Sequence, residues 1–146
     1  MKRFQFRLER LLTIRRYRER EWEVKLAKAA GTCLKLEREI DDMYGEKARA
    51  FKERFKYGAG DIEYLAASEL YMQRLERAAM KKEKELAVKN VERDKIKNQY
   101  LEVSKKRKIL DKLRERRAAE YYKEAKDEEI KSMDDMNSAL YPGSGK

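Results

Sequence analysis

The sequence predicts an all-α fold, a long antiparallel coiled-coil hairpin of two helices in which the second helix overhangs the first. Asp, Glu, Lys and Arg make up 45% of the 146 residues, against about 25% in ordinary soluble domains, which is too much charge for a compact globule. In addition, 41% of the residues are hydrophobic and the single proline is residue 142, a composition that fits exposed helix better than disorder. Finally, helix-breaking residues cluster at only one internal place, residues 57–61.

The first helix is predicted over about residues 5–56. Its apolar side chains follow one another at spacings of four and three residues, at Trp22, Leu26, Ala29, Cys33, Leu36, Ile40 and Met43. A mean spacing of 3.5 residues is typical of the seam of a left-handed coiled coil. Gly31 and Gly45 fall at outward positions, where each glycine costs roughly 1 kcal/mol of helix propensity but leaves no hole in the seam. The helix is therefore expected to continue through both glycines.

The turn is predicted at residues 57–61, Tyr-Gly-Ala-Gly-Asp. Glycine adopts the left-handed conformation that ends a helix, and Asp61, directly before Ile62, is a good N-cap for the next helix. A short connection joins antiparallel neighbours. If the turn is centred near Ala59, the numbers of two facing residues sum to about 118.

The second helix is predicted over about residues 62–137 and a disordered tail over 138–146, so that one coiled-coil domain spans residues 1–146. Lys82, Lys89 and Arg93 fall on its expected seam, which makes the helicity better defined than the register. This helix is longer than the first by roughly 25 residues, which is about 35 to 40 Å. The overhang is expected to dock on another surface through a sparse apolar stripe of Tyr122, Ala125, Met133 and Met136.

The formal charge of +10 is concentrated in two segments, called here the basic segments. Residues 2–20 and residues 105–117 each contain eight basic and two acidic side chains, so together they carry +12. The hairpin is expected to bring them together at the end that holds both termini, with Leu8, Leu11, Leu12 and Ile14 meeting Leu110 and Leu113. Such a concentration indicates an acidic partner, a nucleic acid or a membrane face, although the charge can also serve solubility alone. Few aromatic residues accompany it, which disfavours nucleic acid.

Aromatic residues gather near the turn, at Tyr44, Phe51, Phe55, Tyr57, Tyr64 and Tyr71. Aromatic side chains at such a place either pack across the turn or form a partner site, and both interpretations stay open. Large rings left partly exposed are typical of protein interfaces.

Several kinds of chemistry are excluded by composition. The chain has no histidine and a single cysteine, Cys33, so imidazole acid–base catalysis, zinc sites and internal disulfides are not expected. The closing Gly-Ser-Gly-Lys lacks the Ser or Thr and the helix that a phosphate-binding loop requires. We therefore predict a protein that is not an enzyme and has no cofactor, metal or small-molecule substrate. Without an apolar run for a signal peptide or a membrane span, a cytoplasmic location is expected.

Two segments carry a family resemblance. The start of FliJ proteins of the bacterial flagellar type III export apparatus is similar to the opening MKRFQFRLERLLTIRRYRERE, with Lys/Arg-Phe-x-Phe-x-Leu, then Leu-Leu and a run of Arg and Glu. Their closing helix is similar to KKRKILDKLRERRAAEYYKEAKDEEIKSMDDM. With the turn at a comparable place, the resemblance covers nearly the whole chain. The family more often has Asp-Glu and a small residue where this chain has Asp134-Asp135-Met136.

This resemblance implies a central stalk similar to that of rotary ATPases. It implies that the two-termini end binds in or near the pore of the hexameric export ATPase FliI, promoting ring assembly and turnover. It further implies that the turn-side region contacts the export gate protein FlhA and that the protein handles empty export chaperones. The implied location is cytoplasmic, peripheral to the inner membrane at the flagellar basal body.

On this basis we expect two groups of contact residues. The ATPase contact is expected at Arg7, Arg10, Arg15, Arg16, Lys108, Arg114, Arg116 and Arg117. The gate contact is expected to include Tyr44, Phe51, Phe55, Tyr71, Leu75 and Ala78. Two alternatives remain, a basic coiled coil that binds nucleic acid and a structural coiled coil that self-associates.

Overall fold

The structure, a computed structural model, describes residues 2–58 and 60–141. Within these ranges it contains two α-helices and no β-strand: α1 (Glu9–Tyr57) has 49 residues and α2 (Ile62–Leu140) has 79 residues. The helices pack against each other as an antiparallel hairpin, which confirms the predicted all-α fold class.

The helix limits differ from the expected ones at both ends of the chain. α1 begins at Glu9 and not near residue 5. The residues before it are not helical, and Phe6 among them is buried. α2 continues to Leu140, so residues 138–140 of the expected disordered tail are helical. Residues 142–146 of that expected tail lie outside the described residues.

The turn is built by two glycines and an aspartate. The Gly58 N–H donates to the Arg54 carbonyl at 3.1 Å and ends α1. Gly60 has a φ of +92°, in the left-handed region that glycine adopts without steric cost. The Asp61 carboxylate then accepts the Tyr64 N–H at 3.1 Å, which is the contact of an N-cap residue at the start of α2.

Residue contacts group the described chain into two compact units. Unit 1 contains residues 2–20 and 102–141, and unit 2 contains residues 21–101. In unit 2, Cys33, Leu36 and Ile40 of α1 are buried together with Met72 and Ala79 of α2. The remaining seam residues of α1 are half-buried, at Trp22, Leu26, Ala29 and Met43.

The axial register in unit 2 differs from the expected pairing. The Lys82 ammonium lies 2.6 Å from a Glu39 carboxylate oxygen, whereas a sum near 118 would place residue 79 opposite Glu39. Likewise Arg54 pairs with Glu69 at 3.3 Å and not with a residue near 64. The residue numbers of these two ion pairs sum to 121 and 123, whereas those of Tyr71 and Glu46, which share a hydrogen bond, sum to 117. The contacts therefore scatter around the expected pairing, and most of them lie a few residues above it.

Candidate protein-binding surfaces

Unit 1 brings the two basic segments against each other. The Arg16 guanidinium lies 3.0 Å from an Asp111 carboxylate oxygen, and Arg114 Nε lies 3.0 Å from Glu9. Each of these pairs joins one basic segment to the other. The contacts therefore use acidic residues of the basic segments to hold the two helices in register.

A denser ion-pair network lies between the same segments. Arg107 donates two hydrogen bonds to the Glu19 carboxylate, at 2.5 and 3.1 Å. A third hydrogen bond from Arg107 reaches Asp111 at 2.6 Å, and the other oxygen of Asp111 accepts from Arg16. Bidentate, charge-assisted bonds of this kind are roughly twice as strong as neutral ones. The Arg107 and Glu19 side chains are 25% and 14% exposed, so solvent screens the pair only partly.

The network holds both carboxyl groups in their charged form. Hydrogen bonding from Arg107 is the main cause that lowers the pKa of Glu19, and a bond from the buried Ser104 lowers it further. Arg107 is also the main cause that lowers the pKa of Asp111, with a further hydrogen bond from Arg16. The same bonds raise the pKa of Arg107, so it stays charged at every ordinary pH.

The internal pairs leave the outward surface strongly basic. Glu9, Glu19 and Asp111 are all bound by arginines, so Glu115 is the one acidic side chain of the basic segments without an ion pair in the described chain. Arg16 and Arg114, two of the expected ATPase-contact residues, are engaged in those pairs. The other six form no ion pair within residues 2–58 and 60–141. Arg15 is half-buried, and the other five are exposed, namely Arg7, Arg10, Lys108, Arg116 and Arg117.

Apolar side chains accompany the exposed arginines on α1. Leu12 is fully buried, but Leu11 and Ile14 are exposed, so these two are not buried between the helices as the expected contact with Leu110 and Leu113 implied. The seam spacing explains this, because steps of three and four back from Trp22 lead to residues 19, 15, 12 and 8 and pass over 11 and 14. This extrapolation was the sequence signal that could have identified them as surface residues.

The tyrosines expected at the gate contact use their hydroxyl groups within unit 2. The Tyr44 hydroxyl donates to Glu83 at 2.8 Å, and the Tyr71 hydroxyl donates to Glu46 at 3.0 Å. These hydrogen bonds are the main cause that raises the pKa of each tyrosine. Their rings stay partly exposed, so a partner could still contact the rings while the hydroxyl groups are bound within unit 2.

An aromatic–cation cluster lies in the last turns of α1. Phe51 and Phe55 meet edge to face with centroids 5.1 Å apart, and the Arg54 guanidinium lies 5.0 and 5.1 Å from the two ring centres. Both phenylalanines are exposed. Leu75 and Ala78, also expected at the gate contact, are half-buried. We call Phe51, Arg54 and Phe55 the aromatic cluster.

Other kinds of site are not found in the part of the chain that the structure describes. No group of three or more acidic or cysteine side chains is placed to hold a metal ion there. Neither described helix is apolar enough over a sufficient length to cross a membrane. The two surfaces expected from the sequence are therefore represented in the structure by the basic segments of unit 1 and the aromatic cluster of unit 2.

The comparison with known proteins gives one result. Searches of curated proteins and of solved structures found no significant match. A family profile described as flagellar FliJ protein matches residues 4–146, which is nearly the whole chain and confirms the resemblance seen in the sequence. The chain therefore belongs to the FliJ family and is a component of the flagellar protein export apparatus.

Proposed function

We propose that this protein is a non-enzymatic central-stalk and chaperone component of the export apparatus. Its basic segments bind the hexameric export ATPase FliI and promote ring assembly and ATP turnover, and its turn-side region links the ATPase to the gate protein FlhA. It also handles export chaperones, in the cytoplasm beside the inner membrane at the basal body. The observation that supports this most is the charge of +12 on two segments that the structure brings together.

The distribution of ion pairs supports an acidic partner. Three of the four acidic side chains in the basic segments are bound internally, so a partner would meet almost only positive charge. Charges exposed to solvent are screened beyond about 8 Å at physiological salt. The basic segments would therefore steer and orient the ATPase more than they anchor it. The groups that would complement these basic segments are acidic side chains on the inner surface of the ATPase ring.

The aromatic cluster supports a second contact, at the gate. Exposed aromatic and arginine side chains dominate the binding energy of many protein interfaces. Arg54 is held by Glu69 as well as by the two rings, so the cluster has little conformational entropy to lose on binding. The partly exposed rings of Tyr44 and Tyr71 would extend the same contact.

Hydrolysis by the cognate ATPase, with and without this chain, tests the proposal. We expect stimulation to be abolished when four exposed arginines are replaced with glutamate, namely Arg7, Arg10, Arg116 and Arg117. A control with the same change in net charge reverses four exposed basic residues of unit 2, namely Arg38, Arg77, Lys84 and Lys97, and should keep the stimulation. Circular dichroism should show equal helicity in all three proteins. Undiminished stimulation by the first variant would refute the proposal.

A further inference from the structure

The last part of α2 extends past the N-terminal segment. The Tyr121 hydroxyl donates to the Lys2 carbonyl at 2.6 Å, and the Phe4 and Tyr121 rings lie 5.6 Å apart. From there α2 continues without interruption to Leu140, and every residue from 126 to 140 is exposed. We call residues 122–140 the overhang.

The overhang is amphipathic and acidic. Its exposed large apolar side chains lie within about 120° of one another at 100° per residue, and they are Tyr122, Ile130, Met133, Met136 and Leu140. Met133 is 63% exposed and Leu140 is 69% exposed. The same 19 residues contain six acidic and three basic side chains. A helix with this much uncovered apolar surface is typical of one that packs against a partner.

The opposite chemistry lies on the outer side of α1 in the same unit. Leu11, Ile14 and Tyr17 are 37%, 49% and 65% exposed. Arg10 and Arg18 lie among them and form no ion pair in the described chain. These five side chains also fall within about 120° on the helix. We call them the basic face.

The overhang and the basic face of one chain cannot meet. The contact between Tyr121 and Lys2 marks the point from which the two surfaces extend in opposite directions. α1 runs from there alongside the preceding part of α2, as its pairs with Asp111 and Arg107 show. The overhang continues the other way as unbroken α-helix. A contact between these complementary surfaces therefore requires two molecules.

We propose that two copies of this chain form a symmetric dimer in which the overhang of each copy packs along the basic face of the other. The overhang is long enough for this contact, because its 19 residues span about 28 Å whereas the nine residues from Arg10 to Arg18 that contain the basic face span about 13 Å. A two-fold axis makes the same contact twice. Each two-helix segment of unit 1 then becomes a three-helix bundle.

Charge selects this arrangement over the other ways of pairing two copies. Overhang against overhang would bring together two helices that each carry six acidic and three basic side chains. Basic face against basic face would bring arginines together. Overhang against basic face pairs opposite charges and covers the apolar side chains of both. The dimer would also cover Arg10, so self-association and the proposed ATPase contact would exclude each other; the dimer itself does not depend on that contact.

Sedimentation equilibrium of the full chain tests the dimer through charge exchange. At moderate salt we expect twice the monomer mass of 17.5 kDa. Reversing Arg10 and Arg18 to Glu, or replacing Glu129 and Asp134 with Lys, should each raise the dissociation constant about tenfold or more. All four changes in one chain should restore it to within about threefold of the wild-type value. Replacing Met133 and Met136 with Gln should give a monomer of unchanged helicity, because both side chains are exposed.

Controls and cross-links decide the arrangement. Reversing the exposed Arg38 and Arg77 in unit 2 changes the net charge equally and should leave the dimer intact; an equal loss would mean that net charge alone matters and would overturn the proposal. A mixture of Ile14→Cys and Met133→Cys chains should form mixed disulfides, since Cys33 is buried. Cross-linking of Met133→Cys with itself alone would show overhang against overhang. That result, or a monomer at all concentrations up to about 200 µM, a dissociation constant too weak for specific association, would also overturn the proposal.

Discussion

Removing Arg107 should destabilise unit 1 through an unpaired carboxylate. In the Arg107→Met variant the side chain keeps a similar apolar length, but Glu19 loses two hydrogen bonds and Asp111 loses one. Breaking a fully buried ion pair by removing one partner costs about 3 to 5 kcal/mol. Because the Arg107 and Glu19 side chains are 25% and 14% exposed, and Arg16 still binds Asp111, we expect a loss of about 2 kcal/mol.

The assay is urea unfolding followed by circular dichroism, as a double-mutant cycle with Glu19→Gln. In the background of Glu19→Gln there is no carboxylate to leave unpaired, so Arg107→Met should cost about 1 kcal/mol less there than in the wild type. Additive effects of the two substitutions would refute the role assigned to the network. A matched control is Arg38→Met, an exposed position in unit 2, which should change the unfolding free energy by less than about 0.5 kcal/mol.

The same cycle has a pH dependence whose sign is determined by the network. Glu19 and Asp111 have folded-state pKa values below their ordinary 4.5 and 3.8, so their contribution is present above those values and is lost as pH falls through the lowered ones. The wild type should therefore lose unfolding free energy below about pH 4.5, and Arg107→Met should lose less over the same range. An identical pH profile in the two proteins would contradict the assignment.

Three further substitutions test the turn, the core and the polar seam. Gly58→Ala should lower the unfolding free energy by about 1 to 3 kcal/mol in thermal melts, because a Cβ would lie 2.5 Å from the Tyr64 ring. Leu12→Ala should cost about 2 to 4 kcal/mol in urea, since this side chain has no exposed surface. The pKa of Glu39 is lowered mainly by its bond from Lys82, so Glu39→Gln should reduce the loss of stability that the wild type shows as pH falls below 4.5.

The seam of α1 was predictable because burial in a coiled coil repeats regularly. Spacings of four and three residues identify Cys33, Leu36 and Ile40, and the structure buries all three. The glycine turn was predictable for a similar reason, since only one internal place combines glycines with an N-cap residue, Asp61. Both signals are local, and each requires no knowledge of the other helix.

The register between the helices was not predictable from the same pattern. An apolar repeat defines which face is buried but leaves its axial position open when the facing seam contains charged residues. In unit 2 the contacts between the two helices include charged pairs such as Glu39 with Lys82. Many Glu–Lys pairings are possible in a chain with 45% charged residues, and spacing does not distinguish among them.

The N-terminal segment illustrates how tertiary contacts override helix propensity. Residues 2–6 are not helical, although the first helix was predicted to start at about residue 5. Phe6 is buried, and Phe4 packs against Tyr121 with 5.6 Å between ring centres. Burial of large aromatic side chains stabilises this non-helical segment and outweighs the propensity for one more helical turn.

Unit 1 separates its acidic side chains into two roles, and this separation connects the two proposals. Three of the four acidic residues within the basic segments are bound to Arg16, Arg107 and Arg114 and hold the helices in register. Those of the overhang lie beyond Tyr121 and are exposed, where they can reach only another molecule. An acidic ATPase surface and a second copy's overhang would then share Arg10, which forms no ion pair in the described chain, so one molecule of the protein can place Arg10 against one partner or the other. Self-association would thereby keep Arg10 covered until the ATPase displaces the second copy.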